Sequence, residues 1–266
     1  MSLFTWLQHR TRRLAGQRRG APSSPRRQTT FHPRLEVLEG RDVPSTLTVT
    51  SNLGFGPGTL RAEIALAQSG DTIVFDKSVA GTISLGSGGP AGGIFELYIS
   101  KNLDIEGPGA NKLAISGSSS RVFEVAAGTQ VTLSGLTIQG GNGRYGGFDI
   151  NVNDFEGGGI LNWGTLMVKG CIVTGNFNQF SSPSEDLGGG IYNAGALTLS
   201  GTTVTRNYAA GEGAGIYNAS TGTLTVLNSS VTHNYYLFNG SVLGECDLHN
   251  LGQYTVDSHS KIGVIC

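Results

Sequence analysis

A repeated pattern of about 20 residues constrains the fold of this chain more than any other sequence feature. Three copies align in its second half, at 157–176, 188–207 and 213–234. Each copy begins with glycines and an isoleucine, continues through alternating apolar residues and closes on asparagine. A degenerate earlier copy lies at 121–141. Self-similarity on this scale is typical of stacked repeats, each too small to bury a core alone.

The spacing within a copy predicts a parallel β-helix. Each copy holds three short strand-like pieces separated by Gly and Asn, too short for a sandwich strand followed by a hairpin. A coil that turns three times and stacks on the next coil forms parallel sheets, with ~4.8 Å between coils. Equivalent residues then form files along the stack. We therefore expect Ile160, Ile191 and Ile216 to lie in one inward file.

Two asparagine positions recur in the copies and predict structural ladders. Aligned asparagines hydrogen-bond along a stack of parallel strands. The first position closes the sequences ILN, IYN and IYN, and the second closes the sequences VTGN, VTRN and VTHN. The residues are Asn162, Asn193 and Asn218 in the first ladder, and Asn176, Asn207 and Asn234 in the second. Tyr192 and Tyr217 flank the first ladder and are expected to stack on each other.

The composition agrees with a glycine-rich all-β protein with one short helix. Glycine makes up 42 of the 266 residues, and only 14% of residues are charged, against an ordinary ~25%. The single helix candidate lies at about 59–69, where Leu60, Ile64 and Ala67 share one face and Thr59 is placed to cap the start. We expect this helix to cover the open N-terminal end of the solenoid.

The N-terminal segment differs from the rest of the chain in charge. Residues 1–34 hold eight of the 18 basic residues and none of the 19 acidic ones, so residues 35–266 carry 10 basic and 19 acidic residues. An acidic body repels phosphate, which argues against nucleic acid as a partner. No apolar run is long enough to span a membrane. We therefore divide the chain into a disordered segment at 1–46 and a β-helix domain at 47–266.

Three stretches of the sequence resemble known bacterial surface proteins. The segment FHPRLEVLEGRDVPS at 31–45 resembles a "PRLEVLE-R-VPS" export or sorting segment. The GGGI…N copies are similar to the repeats of polymorphic outer-membrane proteins, and GPGTLRAEIALAQSGDTIVFD at 56–76 resembles the entry segment of right-handed β-helix surface proteins. The resemblance implies a right-handed parallel β-helix, exported to the outside or cell surface of a bacterium, with an adhesin-like role.

The insertions between copies form the candidate binding edge. They fall at 142–156, 177–187, 208–212 and 235–246, and carry seven acidic residues, one basic residue and nine of the 21 aromatic residues. Loops at equivalent positions of a solenoid project from one edge, and aromatic faces stack on sugars or fill protein interfaces. The candidate binding residues are Tyr145, Phe148, Phe155, Phe180, Glu185, Asp186, Tyr208, Tyr235 and Tyr236. The alternative is that these aromatics fold back into small cores beneath the loops.

Metal and cysteine chemistry give weaker signals. A stretch of oxygen-bearing side chains begins like a calcium loop but lacks its glycine and its closing glutamate. Its candidate ligands are Asp149, Asn151, Asn153, Asp154 and Glu156. Cys246 and Cys266 are placed to form a disulfide, or a zinc site together with His249 and His259 whose spacing fits no compact zinc motif. No other cofactor is expected.

Three functions remain open at this point. The first is a non-catalytic surface protein that binds a glycan or a protein along the loop edge. The second is a polysaccharide lyase or glycoside hydrolase that uses loop carboxylates. The acids would have to come from the loops, because most outward strand positions are Thr or Ser, and Asp104 and Glu106 share a strand face but have no basic partner. The third is a purely structural envelope element. No residue is assigned a catalytic role, and the oligomeric state is left open.

Overall fold

A computed structural model of the chain describes residues 43–86, 96–118, 120–143, 156–178, 186–238 and 241–266. Almost all of the predicted segment 1–46, and most of the stretch at 31–45, lie outside these residues.

The described residues form 25 strands and one helix. In chain order they are β1 (Thr46–Val49), α1 (Leu60–Leu66), β2 (Asp71–Phe75), β3 (Gly81–Ser84), β4 (Leu97–Ile99), β5 (Leu103–Glu106), β6 (Leu113–Ser116), β7 (Phe123–Val125), β8 (Gln130–Ser134), β9 (Thr137–Gln139), β10 (Ile160–Asn162), β11 (Thr165–Lys169), β12 (Ile172–Thr174), β13 (Phe177–Asn178), β14 (Ile191–Asn193), β15 (Ala196–Ser200), β16 (Thr203–Thr205), β17 (Tyr208–Ala209), β18 (Ile216–Asn218), β19 (Thr223–Leu227), β20 (Ser230–Val231), β21 (Tyr235–Phe238), β22 (Ser241–Glu245), β23 (Leu248–Asn250), β24 (Gln253–Val256) and β25 (Lys261–Ile262).

Three parallel sheets run along the stack, and each successive turn of the chain adds one strand to each. Sheet A has eight strands in the order β1-β2-β5-β8-β11-β15-β19-β24. Sheet B has seven, in the order β3-β6-β9-β12-β16-β20-β25, and sheet C has six, in the order β4-β7-β10-β14-β18-β23. The chain is therefore a parallel β-solenoid, which confirms the predicted fold class.

The inward files of the core follow the sequence alignment. Ile160 pairs with Ile191, and Ile191 pairs with Ile216, so the predicted file is confirmed and all three residues are fully buried. The structure extends this file to Phe123 and Leu248 in the flanking turns. The degenerate copy at 121–141 also stacks in the predicted register. Val131 pairs with Leu166, Leu133 with Val168 and Ile138 with Val173. Alternation along each strand sends these residues inward and their neighbours outward.

The helix α1 lies at the N-terminal end of the stack. It packs beside β1 and β4, the terminal strands of sheets A and C, and buries Leu60 and Ile64. As expected, the Thr59 side chain caps it by accepting a hydrogen bond from the Ala62 N–H at 3.3 Å. Of the helices in the described residues, none has the length and apolar character that crossing a membrane requires.

The helix ends at Leu66, three residues earlier than the predicted 69. Ala67 has an extended backbone, with ψ 149°. The next N–H, that of Gln68, donates to the Asp71 carboxylate at 2.7 Å instead of continuing the helix. Backbone N–H groups of Gln68 and Ser45 hold the pKa of Asp71 below its ordinary value, because they stabilise the charged form. A local acceptor thus competes successfully with the last helical turn.

Side-chain amides form two continuous ladders through the interior. In the first, Nδ2 of each asparagine donates to Oδ1 of the next at 2.7 Å, through Asn162, Asn193, Asn218 and Asn250. In the second, the same contact measures 2.9 Å between Asn176 and Asn207 and between Asn207 and Asn234, and the last donor is accepted by Asp247 at 2.8 Å. The six predicted asparagines are all buried. The terminal residues Asn250 and Asp247 were not anticipated.

A third file places Cys171 among hydroxyl side chains. The backbone N–H of Cys171 donates to Thr202 Oγ1 at 3.3 Å, and the N–H of Thr202 donates to Ser229 Oγ at 3.0 Å. The Cys171 sulfur accepts from the Leu136 N–H at 3.5 Å. Cys171 is a free, buried thiol, and burial raises its pKa to about 11. Its sulfur therefore occupies the acceptor position that a hydroxyl fills in the following turns.

The structure corrects the treatment of the insertions as loops. The segments 177–187, 208–212 and 235–246 begin with the strands β13, β17 and β21, which pair in parallel as a small fourth sheet, sheet D. The strand β22 then pairs antiparallel with β21. Strands of two residues show no alternation in a sequence, and their partners lie a whole turn away. The strands β13 and β17 of sheet D therefore could not be seen from local patterning.

Removing one amide from the middle of a ladder is expected to destabilise the protein strongly. The change Asn207→Ala removes the acceptor of two Asn176 donors and the donor to the Val173 carbonyl, all in the buried interior. Buried polar groups left unpaired cost ~1–3 kcal/mol each, so we expect a loss of about 3 kcal/mol in unfolding free energy by urea titration. In the control Asn250→Ala, at the half-buried end of the other ladder, water replaces the amide and the loss stays below ~1 kcal/mol. Equal losses would contradict the ladder account.

The position of Cys171 in the hydroxyl file makes a separate prediction. Cys171→Ser keeps an acceptor for the Leu136 N–H, whereas Cys171→Ala, which is close to serine in size, removes the acceptor. We expect the serine variant to lie within ~1 kcal/mol of the parent and the alanine variant to lose about 2 kcal/mol, again by urea unfolding. An alanine variant as stable as the serine variant would show that the sulfur serves only as a small apolar group.

Candidate functional site

The candidate binding edge lies where the chain passes from sheet D to sheet C. Tyr145, Phe148, Phe155, Phe180 and Glu185 lie outside the described residues. Asp186 is fully buried, and its backbone carbonyl accepts from the Gly211 N–H at 3.1 Å, so its carboxylate is not offered to solvent. The structure does describe Tyr208, which lies on β17 of sheet D, and Tyr235 and Tyr236, which lie on β21 of the same sheet.

Three aromatic residues form a column on one face of sheet D, which we call the D column. Phe177 pairs with Tyr208, and Tyr208 pairs with Tyr235, in successive turns. The rings of Tyr208 and Tyr235 stack with centroids 5.9 Å apart and planes 26° apart. Phe177 is 37% exposed, so the column reaches solvent. The structure thus brings two of the predicted binding residues together and adds Phe177.

Tyr236 does not belong to the D column. It follows Tyr235 along β21, and successive side chains of a strand point to opposite faces. Tyr236 pairs with Ala209 and lies across the hairpin from Gly244. A Cβ on Gly244 would approach the Tyr236 ring to 3.2 Å, so the ring packs over this glycine while remaining 37% exposed. Tyr235 and Tyr236, which were both predicted as binding residues, therefore lie on opposite faces of β21.

A second aromatic column, the C column, runs along the outer face of sheet C. The rings of Tyr192 and Tyr217 stack at 5.2 Å with planes 8° apart, as predicted, and Tyr217 stacks on the His249 ring at 5.0 Å. Trp163, which is 40% exposed, meets Tyr192 at 6.0 Å in a tilted arrangement. His249 was missed because its turn, CDLHN at 246–250, diverges from the GxGIYN pattern and was not aligned with the other copies.

Carboxylates give the C column an acidic surrounding. Glu212 Oε2 lies 3.1 Å from His249 Nε2, and the Glu212 side chain is 60% exposed. Burial raises the pKa of Tyr217, and the negative charges of Glu212 and Glu156 raise it further. Glu212 comes from the chain between sheets D and C, so acids and aromatic rings do meet at this edge.

A groove opens on the outer face of sheet B, next to the D column. It encloses about 450 Å³ and is lined by Ile172, Thr203, Thr205, Arg206, His233 and Tyr235. Arg206 and His233 occupy equivalent positions in successive turns, because the Arg206 N–H donates to the His233 carbonyl at 2.8 Å. Both side chains are exposed. This groove was not predicted from the sequence.

The corner that holds Arg206 and His233 has an unusual backbone. Four successive turns place a residue with positive φ there, namely Gly140, Gly175, Arg206 and His233, with φ between 55° and 62°. Glycine adopts this conformation freely, but a residue with a side chain does so at a cost of ~1–2 kcal/mol. Two consecutive turns therefore carry a strained residue where the preceding two turns carry glycine.

A buried ion cluster supports the chain where it enters this edge. Arg121 Nη1 lies 3.0 Å from Glu96 Oε2 and 3.0 Å from Glu124 Oε2, and its Nη2 donates to the Glu156 carbonyl at 2.7 Å. The Arg121 side chain is 0% exposed. A buried guanidinium needs such partners, because a buried charge left unpaired is strongly destabilising. We assign this cluster a structural role.

The predicted metal and cysteine sites can be compared with the structure only in part. Asp149, Asn151, Asn153 and Asp154 lie outside the described residues. Within the described residues, no three His, Cys, Asp or Glu side chains are grouped so as to hold a metal ion. Cys246 and Cys266 form a disulfide with Cα atoms 5.5 Å apart, so their sulfurs are not available to the zinc site considered as an alternative.

Comparison with known proteins gives no relative for this chain. No protein-family model, no curated protein and no solved structure matches it. The site must therefore be interpreted from its own residues.

Proposed function

We propose that this protein is a non-catalytic, exported β-solenoid that binds glycans at the edge between sheets D and C. The single observation that carries the proposal is the D column, in which stacked tyrosine rings and a partly exposed Phe177 line up along the stack. Aromatic faces are apolar platforms with polar edges, and sugars offer apolar ring faces with hydroxyl edges. A column with one ring per turn suits an extended, repeating ligand.

The surroundings of the column support a glycan over a purely apolar partner. Thr203 and Thr205 are half-buried beside Tyr235 in the groove, and Glu212 is exposed on the other side of the edge. A threonine hydroxyl can donate to a sugar hydroxyl or accept from it, and a carboxylate accepts from a sugar hydroxyl. An apolar protein interface would instead be expected to have an uncharged centre.

The two exposed carboxylates that share a strand face, those of β5, lie away from the aromatic columns. Asp104 and Glu106 belong to sheet A, whereas the columns lie on sheets C and D. Glycoside hydrolysis needs two carboxylates ~5–9.5 Å apart across the scissile bond. The function therefore proposed for the columns is to hold a glycan.

Export to the bacterial surface is part of the proposal. The Cys246–Cys266 disulfide is a type of bond that persists in oxidising compartments. The segment at 31–45 resembles an export or sorting segment, and the repeats are similar to those of polymorphic outer-membrane proteins. These features together support an adhesin-like role outside the cell.

A glycan array tests the proposal, followed by titration of the best ligand. We expect Tyr208→Ser and Tyr235→Ser in the full chain to raise Kd about tenfold or more, since buried aromatic anchors dominate such contacts. Tyr254→Ser is the matched control, because Tyr254 is 42% exposed on sheet A, away from the edge. Thermal unfolding of each variant checks that the fold is retained.

Two results would contradict the proposal. One is an array on which the parent protein binds no glycan, and the other is a bound glycan whose Kd is the same for Tyr208→Ser as for the parent. Incubation of the bound glycan with the parent, with and without Ca²⁺, is expected to release no new reducing or unsaturated ends. Their release would favour the lyase or hydrolase alternative.

A further inference from the structure

We infer that the groove on sheet B binds the anionic group of an acidic glycan, with Arg206 and His233 as the recognising side chains. The inference rests on the proposed function, because it names the chemical class of the glycan that the adjoining D column would hold. The anionic group is a carboxylate or a sulfate, both of which guanidinium and imidazole N–H groups recognise.

The choice of residue at the strained corner is the first argument. At a second corner of the solenoid, the left-handed position is filled by Gly170, Gly201 and Asn228 in successive turns. Asparagine is among the few residues with a side chain that adopt this conformation readily. Arginine is not, so the backbone gains nothing from Arg206. Histidine is enriched in this region among residues with side chains, but glycine adopts it at lower cost, so the backbone does not require His233 either. Strained residues of this kind cluster at functional sites.

The partners of the two side chains are the second argument. No hydrogen bond or ion pair involves the side chain of Arg206 or of His233 in the part of the chain that the structure describes. Arg206 carries five N–H donors, and imidazole carries at least one whichever form it adopts. Because the two residues lie one turn apart, these donors converge on one ligand group in front of Thr203 and Thr205.

The shared tyrosine is the third argument. Tyr235 lines the groove and also stacks on Tyr208 in the D column. A sugar ring held on the aromatic column would therefore place a substituent in the groove beside Arg206. The two features recognise different parts of one monosaccharide, its ring face and its charged group.

The charge of the whole chain limits where an anionic group can bind. Residues 35–266 carry 10 basic and 19 acidic residues, so their overall field repels a polyanion. Binding of an acidic glycan by these residues therefore needs a local cationic site. The N-terminal segment is the other cationic region, with eight arginines in 1–34, and the experiment must remove its contribution.

The test compares three forms of one polymer: dextran, carboxymethyl-dextran and dextran sulfate. The protein is the full chain with the eight arginines of 1–34 changed to glutamine. We expect at least one anionic form to bind about tenfold more tightly than dextran, and the preferred form identifies carboxylate or sulfate. Arg206→Gly and His233→Gly are each expected to raise that Kd about tenfold, the contribution of one charge-assisted hydrogen bond. Because glycine relieves the strained φ, both variants should unfold at the same urea concentration as the parent or a higher one.

The control is Lys169→Ala, which removes an exposed cation on sheet A, and it is expected to leave Kd unchanged. The inference is wrong if Arg206→Gly binds like the parent, if Lys169→Ala loses as much affinity, or if no anionic form binds better than dextran. Failure of the proposed function looks different. In that case Tyr208→Ser leaves binding unchanged while Arg206→Gly still weakens it, and an absence of binding in every arm contradicts both.

Discussion

The amide ladders are the interaction on which the rest of this structure depends. Each buried asparagine satisfies its neighbours only if the next turn presents an amide at the same height, with Nδ2–Oδ1 distances of 2.7–2.9 Å. From Asn162 onward the ladders therefore hold successive turns in register, and register in turn builds the apolar files, the aromatic columns and the left-handed corners. A shift by one residue would place every inward side chain outside.

The fold could be predicted because its signal is repeated. Ile, Asn, Leu and Val recur at fixed offsets, and only stacking turns explains why residues such as Ile160 and Ile191, 31 positions apart, share one environment. The end of the helix and sheet D could not be predicted in the same way. The first depends on one carboxylate, that of Asp71, and the second on strands of two residues. The hairpin of β21 and β22 did leave a signal, because Asn239-Gly240 is a typical turn pair that stands just outside the repeats.

The site was less predictable than the fold because binding surfaces depend on which face a side chain takes. Tyr235 and Tyr236 look equivalent in the sequence, yet strand alternation separates them. His249 joins the C column from a turn whose sequence has diverged. Gly, Arg and His each occupy the third position of one closing sequence, VTGN, VTRN or VTHN. Only the structure shows that the backbone at this position is left-handed and that its side chains border a groove.

The stacking itself is best tested by distances between spin labels on one outward file of sheet A. The register joins Asp104, Thr132, Met167, Thr198, Thr225 and Thr255 in successive turns. With ~4.8 Å per turn, labels introduced by Asp104→Cys together with a cysteine at 198, 225 or 255 should lie about 14, 19 and 24 Å apart. Distances that rise in equal steps of about one strand spacing would support the solenoid. Distances that are unequal, or that do not rise with the number of turns, would contradict it and every surface derived from it.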